Sequence, residues 1–461
     1  MSDQQSPASP ALSKTALFAY AGPQFTLFLA RAAGYGIIPA LYAERFDLTL
    51  DKIAGVLLFM RFVEALLQVL AGKLTDKTAQ GPFGRKTWVV LGSLMAALAL
   101  IMLYSPPSNA GLFYLAFWLC LGTLVGSVAE VAYFSWGAEI TNDYAERGKV
   151  ATVQQWAAIA GQLGFFGIPL LPLTPTTEVT FESLGFLAWG VGVLTPLLMI
   201  IAVKSAPRGN PGTGEVAPTF RSLITAIFAN RPMQILILGA VFFDLAASVS
   251  VGVGFLFLDS FLKGGSYVAY QGLLQMGGAF LGVSLTSYLI TRLQKHHVWA
   301  ASTWVYAAVL LPALFLTAST PYAGAIYVAL TTTAYFVIMG AVVSPMSIIG
   351  DVVDYERWRS GEQQSGQFVA AFTLTQKLVG GLTAALGFYL LSLFGFEPGQ
   401  EDYGPSATFG IRLVAIVMPA ALMAFSGLIA WRFPLNKRRH AIVLKRLKSR
   451  DARLEATRSA S

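Results

Sequence analysis

The sequence predicts an all-α membrane protein with twelve transmembrane helices in two pseudo-symmetric six-helix bundles. Three observations predict it. Of 461 residues, 55% are hydrophobic and only 12% charged, about half the charged share of a soluble domain, roughly 25%. Apolar runs close to or above the length of a bilayer-spanning helix recur along nearly the whole chain, without the alternation of barrel strands. A stretch rich in Pro and Gly divides these runs six and six.

Taken in order, the segment 1–16 is polar, lacks the apolar core of a cleaved signal peptide, and is expected in the cytoplasm. Spans at 17–42, 53–74, 87–104, 112–140, 150–173 and 184–203 form an N-terminal bundle over 17–203. The segment 204–232 is a cytoplasmic linker, within which 221–230 can form a short amphipathic helix. Spans at 233–262, 267–290, 298–316, 322–350, 366–393 and 411–431 form a C-terminal bundle over 233–432. The basic tail 433–461 suits anionic lipid rather than nucleic acid.

Orientation follows from Lys and Arg. Lys73, Lys77, Arg85 and Lys86, then Arg147 and Lys149, Lys204 and Arg208, Arg292 and Lys295, and Arg357 and Arg359 all fall in exits on one side. The opposite loops hold little beyond Arg45, Lys52 and Lys263. Both termini are therefore expected in the cytoplasm, with the chain multi-pass in a cytoplasmic (inner or plasma) membrane. The single cysteine, Cys120, lies inside the fourth span, which excludes an intrachain disulfide.

Ionisable residues fall at membrane depth. Glu64, Asp244 and Lys377 each lie about eleven residues into their spans, about 16 Å deep and near the midplane of a roughly 30 Å core. Glu130 lies near the middle of the fourth span, and Arg31 and Arg61 add two cations. Such residues are costly in lipid and mark functional candidates. Arg61, Glu64 and Gln68 share one helix stripe at i, i+3 and i+7. Phe134 follows Glu130 by one turn, so its ring could stack on a sugar while the acid takes hydroxyls. A structural ion pair is the competing reading for Arg61 and Glu64, and for Asp244 with Lys377. Catalysis is disfavoured: His296, His297 and His440 all lie in cytoplasmic segments, and no Walker-type phosphate loop occurs. The chain is not expected to be an enzyme, and its driving energy is expected from an ion gradient or the substrate's own gradient.

The two sides echo each other. Ser135-x3-Glu139-x3-Asp143-Tyr144-x-Glu146-Arg147 ends the fourth span, and Ser347-x3-Asp351-x2-Asp354-Tyr355-Glu356-Arg357 ends the tenth. The next spans match too, with Thr152-x2-Gln155-Trp156 against Thr373-x2-Gln376-Lys377. Parallel six-span halves are an architecture of secondary transporters.

At these residues the chain resembles the glycoside–pentoside–hexuronide:cation symporters of the major facilitator superfamily, the melibiose carrier-like family. Gly350-Asp-Val-Val-Asp-Tyr-Glu-Arg-Trp-Arg-Ser-Gly361, leading to Gln376-Lys377, is similar to that family's helix 10–11 signature. Gly72-Lys-Leu-Thr-Asp76-Lys77, followed by Gly84-Arg85-Lys86, is similar to the superfamily's helix 2–3 loop. The resemblance implies two six-helix bundles, alternating access, and a cation site between helices 2 and 4 beside the sugar. By it, Glu64 and Glu130 match acids of that site, Gln68 stands in place of a second helix 2 acid, and Phe134 stands at a sugar-stacking position. Lys377 matches the helix 11 lysine. Phe28 and Gln154 depart from the family's helix 1 acid and helix 5 arginine.

The expectation is a proton- or sodium-coupled symporter of a sugar or glycoside. Glu64 and Glu130 are the coupling acids, and Arg61, Glu130, Phe134, Gln154, Gln155, Asp244 and Lys377 are the substrate candidates. Asp76, Arg85, Asp351 and Asp354 are expected at a cytoplasmic gate. No metal or cofactor is expected beyond the coupling cation; sodium would sit at Glu64, Gln68 and Glu130, whereas a buried glutamate can instead carry a proton. The expected partners are a small-molecule substrate and membrane lipid, with no nucleic acid, and the protein is expected to act as a monomer. The alternatives are a lysolipid or amphiphile carrier of the same family and, further off, a non-transporting sensor.

Overall fold

The structure, a computed structural model, describes residues 13–31, 36–78, 84–141, 144–172, 177–207, 227–228, 230–361 and 365–460. Among these the regular structure is helical, with no strand. The chain divides into two compact units: Met1–Glu215 with Gly265–Leu273 and Glu397–Gln400, and Val216–Gly264 with Leu274–Phe396 and Glu401–Ser461. Most of the linker, and the side chains of Arg31, Gln68, Asp76 and Lys377, lie outside the described residues.

The first unit begins with α1 (Lys14–Arg31) and α2 (Ile37–Arg45), which share the first predicted span. It continues with α3 (Leu50–Thr78), α4 (Lys86–Tyr104), α5 (Leu112–Glu139), α6 (Tyr144–Gly167) and α7 (Phe181–Ser205). α1 packs on α6 and α7, α3 on α5, and α4 on α5 and α7. Lipid offers helices no hydrophobic drive to associate, so close approach at small residues matters. A Cβ on Gly92 would stand 2.8 Å from the Val125 carbonyl of α5, and one on Gly161 would run into the Phe25 carbonyl of α1. Tyr20, Tyr133, Trp136, Val150 and Met199 form a buried cluster.

The second unit carries α8 (Arg231–Leu256), most of α9 (Val268–Arg292), α10 (Lys295–Leu310), α11 (Ala323–Ser360), α12 (Ser365–Leu393), α13 (Pro405–Arg412), α14 (Met418–Trp431) and α15 (Lys437–Ala460). α8 packs on α12 and α14, and α10 on α11 and α14. A Cβ on Gly282 of α9 would run into the Phe336 carbonyl of α11. A π-helix at Phe257–Phe261 ends α8, and another at Leu413–Val417 joins α13 to α14. Among the described residues nine helices are long and apolar enough to cross a membrane; α1, α3 and α6 hold the other three predicted places.

Two elements differ from expectation. α11 runs to Ser360, well past the predicted end at 350. Val352 and Glu356 keep one face buried there, Arg357 and Arg359 suit the negative end of the helix dipole, and Gly361 stops it at φ 83°. The basic tail carries a helix that the sequence reading did not place: α15 spans Lys437–Ala460. Asn436 starts it by accepting the Arg439 backbone N–H at 2.9 Å. Val443 and Leu447, one turn apart, are buried, and α15 packs on α11.

Candidate functional site

In the first unit the helical stripe predicted on α3 forms an ion pair. Arg61 Nη1 stands 2.6 Å from Glu64 Oε2, with the side chains 17% and 10% exposed. Ser127 Oγ of α5 donates to Glu64 Oε1 at 3.3 Å, and Thr123 Oγ1 reaches Met60 Sδ at 3.2 Å. α3 and α5 are thus joined by polar side chains at membrane depth. Glu130, one turn beyond Ser127 on the same helix, is partly exposed and lines a cavity of about 110 Å³ between α1, α4 and α5. Phe134, one turn further, is 48% exposed and meets Tyr133 edge-on at 6.0 Å.

Gln154 and Gln155 part company. Gln155 is exposed. Gln154 is buried, and its Nε2 donates to the Tyr20 hydroxyl at 2.7 Å. Tyr20 in turn donates to the Tyr133 carbonyl at 2.8 Å, and Tyr133 donates to the Tyr20 carbonyl at 2.7 Å. The two rings stack at 4.7 Å, with Trp136 edge-on to Tyr20. Gln154 therefore ties α6 to α1 and α5.

In the second unit Asp244 of α8 is partly exposed and hydrogen-bonded to Gln376 of α12. Its Oδ2 is buried with no hydrogen-bond partner among the described residues. On the same helix, Ser250 Oγ lies 3.1 Å from the Tyr306 hydroxyl, linking α8 to α10.

The predicted gate residues have partners that sequence reading missed. Arg85 Nε pairs with Glu139 Oε1 at 2.7 Å, and its Nη1 donates to Thr75 Oγ1 at 3.4 Å. Asp351 Oδ1 pairs with Lys295 Nζ at 2.7 Å, and Lys295 also donates to the Ser347 carbonyl at 3.2 Å. His440 of α15 reaches both gate acids: Nδ1 lies 3.6 Å from Asp351 Oδ1, and Nε2 lies 2.9 Å from Asp354 Oδ2. In each unit a cation at the start of one span meets the acid closing the next. Glu139 and Asp351 hold the same place in the repeated pattern, and that repeat is the signal that could have found Glu139 beside Asp351.

Carboxylates, a guanidinium and amides at membrane depth can bind ions and hydroxyls. Among the described residues no cluster of His, Cys, Asp and Glu could hold a metal ion. A sequence profile described as MFS/sugar transport protein matches residues 19–437. The chain belongs to the MFS/sugar transport protein family. It is thus a multi-pass membrane transporter of small molecules and not an enzyme. Relatives of this MFS/sugar transport protein include an uncharacterised symporter of Bacillus subtilis (strain 168), 22% identical over 85% of this chain and 86% of the other. A putative sulfoquinovose importer of Escherichia coli (strain K12) is 23% identical over 91% of each chain. The crystal structure of a D-xylose–proton symporter superposes with a TM-score of 0.65 at 13% identity, over 91% of this chain and 97% of that one, a likeness of fold.

Proposed function

We propose that the protein is a secondary active symporter that moves a sugar or glycoside with a proton or sodium ion by alternating access. The observation that carries this reading is the nearly buried Arg61–Glu64 pair, held by Ser127 on the same helix that carries Glu130. A carboxylate kept at membrane depth by a cation and a hydroxyl can exchange those partners for a transported cation. Glu130 lies within reach of the same helix face and borders open space, where sugar hydroxyls would meet it. Phe134 offers a ring to a sugar face, and Asp244, Gln155 and Lys377 complete the proposed substrate contacts. Gln154 acts by positioning, through Tyr20. The relatives named as symporters and as a sulfoquinovose importer support a sugar-like substrate. The protein would work as a monomer in a cytoplasmic membrane with both termini inside, gated there by Asp76, Arg85, Asp351 and Asp354.

The test is uptake of a sugar panel into proteoliposomes under imposed sodium or pH gradients. Glu130→Gln is expected to abolish accumulation against a gradient. Normal accumulation by that variant would remove Glu130 from the coupling machinery.

A further inference from the structure

The cavity beside Glu130 has walls unlike those of a sugar site. It lies inside the first unit, bounded by α1, α4 and α5. Phe28 on α1 and Leu100 and Leu103 on α4 line it; Glu130, Gln24, Thr123 and Tyr104 are its polar residues, of which Thr123 turns its hydroxyl to Met60 Sδ and Tyr104 is almost fully buried. Its lining on α5 runs from Leu119 to Glu130, about 16 Å of helix at 1.5 Å per residue. Gly126, one turn before Glu130, opens onto it: a Cβ there would meet nothing within 4 Å. Hydroxyls removed from water need partners, and the aliphatic and aromatic arm offers almost none. Hydrocarbon needs none and is favoured by about the area it buries.

We infer that this cavity takes the apolar aglycone of the substrate, so the preferred cargo is a glycoside with a small hydrocarbon group rather than a free sugar. The sugar part would lie at Glu130 and the hydrocarbon part would extend past Gly126 between α1 and α4. The volume, about 110 Å³, is somewhat below the roughly 150 Å³ of a cavity that takes up benzene. A group of isopropyl size therefore suits it better than a long acyl chain. This inference rests on the sugar-symport reading and sharpens it.

The experiment uses the full-length protein in proteoliposomes. From a panel of methyl glycosides, the one the wild type accumulates best serves as labelled substrate. Unlabelled methyl and isopropyl glycosides of the same sugar then compete with it. Wild type is expected to bind the isopropyl compound roughly tenfold tighter than the methyl compound, the gain from burying two further carbons. Gly126→Leu fills the cavity and is expected to bring that ratio close to one. Gly126→Ala, which adds a single methyl group where there is room, is expected to reduce it partially and serves if the larger variant fails to fold. A ratio near one in wild type, or an undiminished ratio in both variants, overturns the inference. Lipid co-purifying with wild type and lost from Gly126→Leu, with the ratio unchanged, would assign the cavity to a membrane acyl chain and also overturn it. Failure of the symport reading shows separately, as absence of gradient-driven uptake of every glycoside by wild type.

Discussion

Arg61 and Glu64 lie one turn apart on α3, and each has a use only while the other is present. Taking two charges from water is expensive, and removing one partner strands the other. Arg61→Met is therefore expected to destabilise by up to about 3–5 kcal/mol, toward the lower end because 17% of the Arg61 side chain remains exposed. The double variant Arg61→Met with Glu64→Met removes both charges and is expected to recover most of the lost thermal stability. Accumulation should stay lost in the double variant. Thermal melts and uptake measured on the same preparations separate the two roles, and a double variant that still accumulates substrate would leave the pair purely structural. A milder effect is expected at Asp51, an exposed acid in the first turn of α3 ahead of its apolar run. The Thr49 hydroxyl, followed by backbone N–H groups of Lys52 and Asp51 and by the Lys52 charge, holds its carboxyl below the ordinary value. A lowered folded value means that the ionised form stabilises the fold above the ordinary carboxylate range, and that this contribution fades as pH falls through the folded value. Asp51→Asn should thus melt slightly lower than wild type near neutral pH, with the gap closing on acidification.

At the scale of the element, α15 turns a basic tail into a docked helix. Val443 and Leu447 are buried, the Arg446 guanidinium lies 5.3 Å from the Trp358 ring centre, and Arg450 donates to the Arg357 carbonyl at 3.0 Å. His440 adds its contacts to Asp351 and Asp354. The contacts of His440, Arg446 and Arg450 fall on the far end of α11, so the length of α11 and the order of α15 go together. Truncating a buried leucine costs about 2–5 kcal/mol, more than a peripheral helix commonly has to spare. Leu447→Ala is therefore expected to release α15 while the rest of the second unit stays folded. Trypsin, with many Lys and Arg to choose from in 437–458, should then cut the tail faster by roughly tenfold or more. An unchanged digestion rate would mean that α15 does not depend on its apolar face. The spacing of Val443 and Leu447 was visible in the sequence, but Lys and Arg surround both residues and charge dominates a reading by composition.

Across the whole molecule, helix order was legible because lipid leaves the backbone few alternatives: a long apolar run must satisfy its own N–H and C=O groups, and a helix does so. The Arg61–Glu64 pair on α3 was legible for the same periodic reason. Gln154 was not, since Tyr20 takes its amide from 134 positions away in the chain and no local pattern announces such a contact. The charged exits stand between these cases. Their repetition was plain, yet Glu139 and Asp351 acquire Arg85 and Lys295 only because consecutive spans run antiparallel, which returns the end of one to the start of the other. The same device in both units predicts charge interchange within each matched pair. Arg85→Glu and Lys295→Glu are each expected to slow uptake roughly tenfold by setting like charges together in a part-buried place. Adding Glu139→Arg to the first, or Asp351→Lys to the second, restores opposite charges and should recover much of the rate. Recovery would be incomplete, because Arg85 also donates to Thr75 and Lys295 to the Ser347 carbonyl. Combining Arg85→Glu with Asp351→Lys should recover nothing, since each change then meets a partner of its own sign. Uptake rates normalised to protein in the membrane decide the matter, and equal recovery by the mixed combination would show that these residues act through overall charge rather than as two matched pairs.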